Sequence, residues 1–222
     1  EAVGLGQFQC FLLHGVTGSG KTQVYLEAIQ TALEKGGSIL FLVPEIALAP
    51  QVLGRIEAFF QSKGWECVLW HSQLPEGQRV DAYHAVASGR VRIVVGARSA
   101  LFAPLRQLRL IIVDEEHEAA YKQEESPRYH GRDSAVYLAR LCGAVCVLGS
   151  ATPSLESFRN SQLGRYRLLR LPKRIDGRQL PTVHVVDMRR EIKGDKTAVF
   201  SRLLWEKMQD RLDKKEQTIL FL

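Results

Sequence analysis

Apolar runs and amphipathic stretches take turns along most of this chain. Continuous runs rich in Val, Ile and Leu at 9–14, 38–43, 66–71, 91–96, 108–114 and 144–149 predict strands. Segments of helical period at 21–33, 47–61, 77–87, 132–141 and 155–162 predict the helices between them. Strands that are apolar throughout are buried on both faces. Their alternation with helices predicts an α/β fold, a mainly parallel β-sheet flanked by helices. In such a sheet, ligand-contacting residues lie beyond the carboxyl ends of the strands. Every unusual polar motif of this sequence falls at such an end.

After residue 171 the character changes. Residues 172–181 are basic and punctuated by Pro172, Gly177 and Pro181, which reads as a linker. A strand at 182–187, a polar loop, a helix at 201–214 and a last strand at 218–222 follow. One helix and two strands are too few for an independent core. The pattern therefore predicts a complete lobe over 1–171 and the beginning of a second over 172–222.

The stretch Gly15-Val16-Thr17-Gly18-Ser19-Gly20-Lys21-Thr22 fits the phosphate-loop pattern G-x-x-x-x-G-K-[ST] at every defined position, between an apolar run and a helix. Small residues let backbone N–H groups close around phosphate oxygens, and the helix N-terminus adds positive partial charge. Lys21 would reach the β- and γ-phosphates, and the Thr22 hydroxyl would ligate Mg²⁺. The apolar run 108–113 ends in Asp114-Glu115-Glu116-His117. Several carboxylates at one buried strand end are costly unless a cation shares them. Mg²⁺ held through Asp114 supplies that cation, and Glu115 is placed to orient or deprotonate an attacking water, which favours hydrolysis. After the run 144–149 comes Ser150-Ala151-Thr152-Pro153-Ser154. It suits a loop that senses the γ-phosphate, and equally a helix start with Thr152 or Ser154 as N-cap.

Composition narrows the setting. The 222 residues carry four cysteines, none in a C-x-x-C pair; three sit inside apolar or strand-like runs, which reads as buried thiols in a reducing cytosol rather than metal ligands. No apolar run approaches the roughly 18 residues of a membrane span, and residues 1–4 lack the layout of a secretory signal. The net charge of +6 favours a polyanionic partner. Tyr121 and Tyr129 could stack on bases while Lys122, Arg128 and Arg132 meet phosphates, or the segment is a solvated charged loop with two anchoring tyrosines. Arg98 and Ser99 could contact the phosphates of such a polyanion, although Ser99 also suits an N-cap. Trp70 ends an apolar strand and reads as core.

The three motifs, in this order, resemble those of superfamily 2 helicases. Residues 12–22, 42–51, 71–72, 96–104, 113–117, 121–133 and 148–154 are similar to the PriA family of replication-restart helicases, and 185–189 through 217–222 to the start of that family's second lobe. The resemblance implies a RecA-like P-loop NTPase lobe plus a partial second lobe, and 3′-to-5′ translocation on DNA driven by ATP and Mg²⁺. It implies work at stalled forks in the bacterial cytosol or nucleoid. The implied partners are single-stranded and forked DNA, primosome and replication-restart proteins, and single-stranded DNA-binding protein, with no membrane.

By the same resemblance, Lys21 and Glu115 are catalytic, residues 15–22 with Asp114, Glu115 and His117 bind the nucleotide, and Thr22 and Asp114 hold Mg²⁺. Pro44, Gln51, His71, Ser72, Arg98 and Ser99 face the single strand. Residues 121–133 match an aromatic-rich loop linking DNA contact to hydrolysis, and Ser150, Ala151 and Thr152 couple the two. Ala97 and Pro127 depart from residues common in relatives. The family's zinc-binding cysteines and its arginine finger have no counterpart in these 222 residues. The chain alone is thus expected to bind ATP–Mg²⁺ weakly without appreciable turnover. Rival readings are another superfamily 2 translocase or RNA helicase, and a non-catalytic nucleotide-binding scaffold.

Overall fold

In the computed structural model, the residues described are 7–60, 63–175, 182–191 and 199–221. The chain divides into two compact units, Glu1–Arg178 and Gln179–Leu222. The first unit is built on a seven-stranded sheet of order β3-β4-β2-β5-β6-β1-β7. Its strands are β1 (Gln9–Gly15), β2 (Ser38–Leu42), β3 (Cys67–Trp70), β4 (Ile93–Gly96), β5 (Leu108–Val113), β6 (Val145–Ser150) and β7 (Arg167–Leu171), and every pairing is parallel. The helices are α1 (Lys21–Glu34), α2 (Ala49–Phe60), α3 (Glu76–Ala87), α4 (Gly131–Cys142) and α5 (Leu155–Gln162). This is the RecA-like arrangement, and it is why every carboxyl strand end lies on one edge.

Burial explains the sheet. All of β2 is buried, and Leu110 to Val113 of β5 are inaccessible to solvent. Alternate side chains of these strands feed two apolar clusters, one on each face. Leu12, Leu40, Ile111 and Leu148 point into one with Ala135 and Ala139 of α4; Leu13, Phe41, Ile112 and Val147 point into the other with Tyr25 and Ile29 of α1. Trp70 packs against the first cluster, as a core residue does. Cys10 and Cys146 face each other across β1 and β6 as buried free thiols, whereas Cys142 is exposed.

The structure adds one strand and removes two. Among the described residues β7 pairs only with β1, from Phe11↔Arg167 to Gly15↔Leu171. As an edge strand with Arg167, Leu169 and Arg170 exposed, it carries no continuous apolar run and leaves no periodic signal. The strands expected at 182–187 and 218–222 are not formed among the described residues, because a strand exists only with a hydrogen-bonded neighbour. Leu222, Gln61 at the end of the expected second helix, and 176–181 of the expected linker lie outside the described residues. The second unit contributes α6 (Met188–Glu191) and α7 (Arg202–Asp213), the latter capped by Ser201, whose hydroxyl accepts from the Leu204 N–H at 3.1 Å.

Gly149, near the end of β6, shows how closely α1 approaches the sheet. A methyl group there would collide with the hydroxyl of Tyr25, a fully buried ring packed edge-on against Phe41 at 5.5 Å. We expect Gly149→Ala to cost about 1–3 kcal/mol of stability in urea unfolding; an unchanged midpoint would show that Tyr25 yields freely.

Candidate nucleotide site and its acidic strand end

β1 delivers the chain to Gly15, and the next residues form a compact loop. Gly18 (φ 77°) and Gly20 (φ 90°) occupy left-handed conformations that side chains disfavour. Gly20 caps α1 with no side chain of its own; the Gln23 N–H donates to the Gly20 carbonyl at 3.0 Å, and the Lys21 and Thr22 N–H groups have no side-chain cap. The Ser19 N–H donates to the Val16 carbonyl at 3.0 Å, folding the loop into a cradle. A Cβ on Gly15 would fill that cradle, 2.5 Å from Ser19 Oγ and 3.0 Å from Lys21 Cγ. Ser19 Oγ is buried there without a partner. Lys21 Nζ lies across the loop, donating to the Gly15 carbonyl at 2.9 Å.

Two strands away, β5 ends at the carboxylates. The Asp114 N–H donates to the Leu42 carbonyl at 3.0 Å, and the Tyr25 hydroxyl donates to Asp114 Oδ1 at 2.9 Å. Glu115 adopts φ 45°, an uncommon left-handed conformation for a residue with a side chain. Its carboxylate lies 3.9 Å from Lys21 Nζ and 3.7 Å from His117 Nδ1. The loop and the acidic tip therefore face each other. Burial pushes the Asp114 carboxyl above its ordinary value, against the hydrogen bond from Tyr25 and the charge of Lys21. Burial, then the Asp114 charge, pushes Glu115 up as well, opposed by Lys21 and His117. For a raised carboxyl, ionisation costs stability as pH climbs above the usual carboxylate range. A cation at this point would remove that cost.

His117 joins this tip to the end of β6. Its Nδ1 is 2.8 Å from Ser150 Oγ and its Nε2 is 3.3 Å from Thr152 Oγ1, while the Thr152 N–H donates to Ser150 Oγ at 2.9 Å. Ala151 lies between these two anchored residues. The helix-start reading of the segment holds through Ser154, whose hydroxyl caps α5 by accepting from the Ser157 N–H at 3.2 Å.

Glu116 is the residue whose importance the pattern conceals. It is 0 % exposed and accepts from the Ser154 N–H (2.8 Å), Ser154 Oγ (3.0 Å), Ser157 Oγ (2.8 Å) and the Arg132 guanidinium (3.2 Å). Arg132 also donates to Ser154 Oγ at 2.6 Å and to Asp133 at 2.8 Å. Burial pulls its guanidinium down, but Asp133 and Glu116 outweigh this and hold it above its ordinary value.

Two expected DNA contacts are thereby corrected. Arg132 is 7 % exposed and committed to Glu116, so it cannot meet a phosphate. Tyr121 is fully buried, its hydroxyl donating to the Asp114 carbonyl at 2.6 Å, so its ring cannot stack on a base. Both serve the strand end from beneath. Tyr129 is half-buried, edge-on to Phe102 at 5.6 Å. It lines a cavity of about 470 Å³ with Lys122, Arg128 and His130. A second groove of about 870 Å³ runs past Pro44, Gln73, Arg98 and Lys122, where Arg98 donates to the Lys122 carbonyl. Gln51 and Ser72 are exposed, His71 is half-buried, and none of the three lines these cavities. Ser99 lies within the turn Arg98–Phe102, whose N-cap is Ala97, so the capping alternative for Ser99 falls away.

Removing one partner from a buried charge pair strands the other. We expect Glu116→Ala to cost about 3–5 kcal/mol. In chemical unfolding, Glu116→Ala with Arg132→Ala should cost less than the sum of the single changes; an additive result would mean the two charges do not depend on each other.

The sequence profile of the DEAD/DEAH box helicase family matches residues 4–160. The replication restart protein PriA of Bacillus subtilis (strain 168) is 46 % identical over 222 residues, which is all of this chain and 27 % of that protein. The PriA of Rickettsia felis is 40 % identical over 211 residues, 95 % of this chain and 32 % of that protein. The chain thus spans about a third or less of the length of these curated relatives. Among solved structures, RecG bound to a three-way DNA junction superposes with a TM-score of 0.57 at 23 % identity, covering 76 % of this chain and 21 % of that one. The family profile covers most of the sequence and the fold agrees with it: the chain belongs to the DEAD/DEAH box helicase family.

Proposed function

We propose that this chain is the ATP-binding lobe of an ATP-dependent DNA helicase that acts at stalled replication forks, in replication restart and primosome assembly. The observation that carries the reading is the 3.9 Å approach of Lys21 to Glu115, beside Asp114, at one edge of the sheet. Residues 15–22 would cradle the phosphates of ATP: the free N–H groups at the start of α1 and the unpartnered Ser19 hydroxyl are the donors such a ligand needs. Mg²⁺ would be held by Thr22 and Asp114. Among the described residues no three His, Cys, Asp or Glu side chains cluster around a metal position. That fits Mg²⁺, which binds through one or two carboxylates, phosphate oxygens and water.

When bound, the metal would neutralise charge developing on the phosphates. The chain's own residues do the rest. Lys21 leaves the Gly15 carbonyl for the terminal phosphates. Glu115 would orient or deprotonate the attacking water, and the upward push on its carboxyl suits a group that takes a proton. His117, bonded to both Ser150 and Thr152, would carry the change of charge into the α5 end of the sheet. Single-stranded DNA would cross the groove of Pro44, Arg98 and Lys122 and the cavity at Arg128 and Tyr129. The 3′-to-5′ direction, and contact with primosome proteins and single-stranded DNA-binding protein, extend the same proposal from the similarity to PriA.

In the full-length protein containing this chain, ATP turnover should rise with single-stranded or forked DNA and respond far less to RNA. Equal stimulation by RNA would overturn the DNA reading. Lys21→Ala should abolish nucleotide binding, whereas Glu115→Gln should bind ATP and hydrolyse it about 10²–10⁴-fold more slowly. Full turnover by either variant would overturn the assignment of that residue to the hydrolytic site, whereas replication-restart function untouched by Lys21→Ala would favour the scaffold reading.

A further inference from the structure

Where β7 ends, the chain does not leave the sheet edge; it crosses the phosphate loop. The Val16 N–H donates to the Leu171 carbonyl at 3.3 Å, and four residues later the Ile175 N–H donates to the Gly18 carbonyl at 3.0 Å. The strap between these two bonds lies on the loop itself. A Cβ on Gly18 would lie 4.0 Å from Arg174 Cγ, and one on Gly20 would lie 2.7 Å from Ile175 Cδ1. Two features of the strap have no structural use. Arg174 Nε is buried without a hydrogen-bond partner, and Ile175 is 77 % exposed although it sits over the start of α1.

The sheet order says which end of a nucleotide the strap meets. β1, which carries the loop, has β6 and then β5 on one side and β7 on the other. The carboxylates Asp114 and Glu115 follow β5, so the metal and the terminal phosphate lie toward that side. The nucleoside of a triphosphate seated on the loop must then extend the opposite way, past the end of β7. A planar guanidinium that stacks on bases and an exposed apolar side chain are what a nucleoside would find there.

We infer that residues 171–175 form the nucleoside-side wall of the site, with Arg174 and Ile175 contacting the base and ribose. This rests on the reading of residues 15–22 as the nucleotide site. It makes the strap a ligand-binding element whose position is fixed by the same two hydrogen bonds that hold the loop.

The test uses the full-length protein and calorimetric titration of ADP, ATP and inorganic tripolyphosphate. Arg174→Ala and Ile175→Ser should each weaken ADP and ATP about ten-fold while leaving tripolyphosphate within about two-fold of wild type. Unchanged ADP affinity in both variants overturns the inference, and so does an equal loss for tripolyphosphate, which would place the strap on phosphates. Lys21→Ala reports on the underlying reading separately. If it leaves all three affinities intact, the phosphate loop is not the site, whatever the strap variants show.

Discussion

A lysine and three carboxylates are brought together here by the order of strands in one sheet, and the rest of the site depends on that meeting. Charges so close to an apolar core are tolerable only when each has a partner. Lys21 answers Glu115, the Tyr25 hydroxyl answers Asp114, and Arg132 with two serines answers Glu116. Parallel strands make this possible because their carboxyl ends all open on the same edge, where helix N-termini also point. The apolar sheet is thus a device for concentrating unpaired backbone donors and acids in one place.

The two glutamates beside Asp114 have opposite fates, although they are neighbours in sequence. Glu115, with its positive φ, turns toward the loop and remains partly exposed, as a group that meets a ligand must be. Glu116 turns inward and binds the first turn of α5 and the first turn of α4 together. This buried network joins the acidic tip to the first turns of α4 and α5, while His117 joins the tip to Ser150 and Thr152.

The loop over 121–133 illustrates a division of labour that composition hides. Its two ends are anchored inward, through Tyr121 beneath Asp114 and Arg132 on Glu116, while Lys122, Arg128 and Tyr129 remain toward the surface. Two of its charged and aromatic residues therefore matter by being unavailable.

Local pattern was enough to specify six of the seven strands and to place the polar motifs at their carboxyl ends. Uninterrupted Val, Ile and Leu runs admit only doubly covered strands, and the loop from Gly15 to Thr22 requires glycines wherever backbone turns left-handed beside a ligand. Spacing carries such information because it constrains neighbours along the chain. What it could not carry is partnership across the chain. That Arg132 pairs with Glu116 rather than with phosphate, that Tyr121 is buried, and that β7 exists at all depend on which elements the sheet order sets side by side. An edge strand has one partner and an exposed face, so its pattern is weak; a buried arginine reads like an exposed one until its carboxylate is found. Folding settles these matters because burial and pairing belong to the assembled molecule and leave no period in the chain.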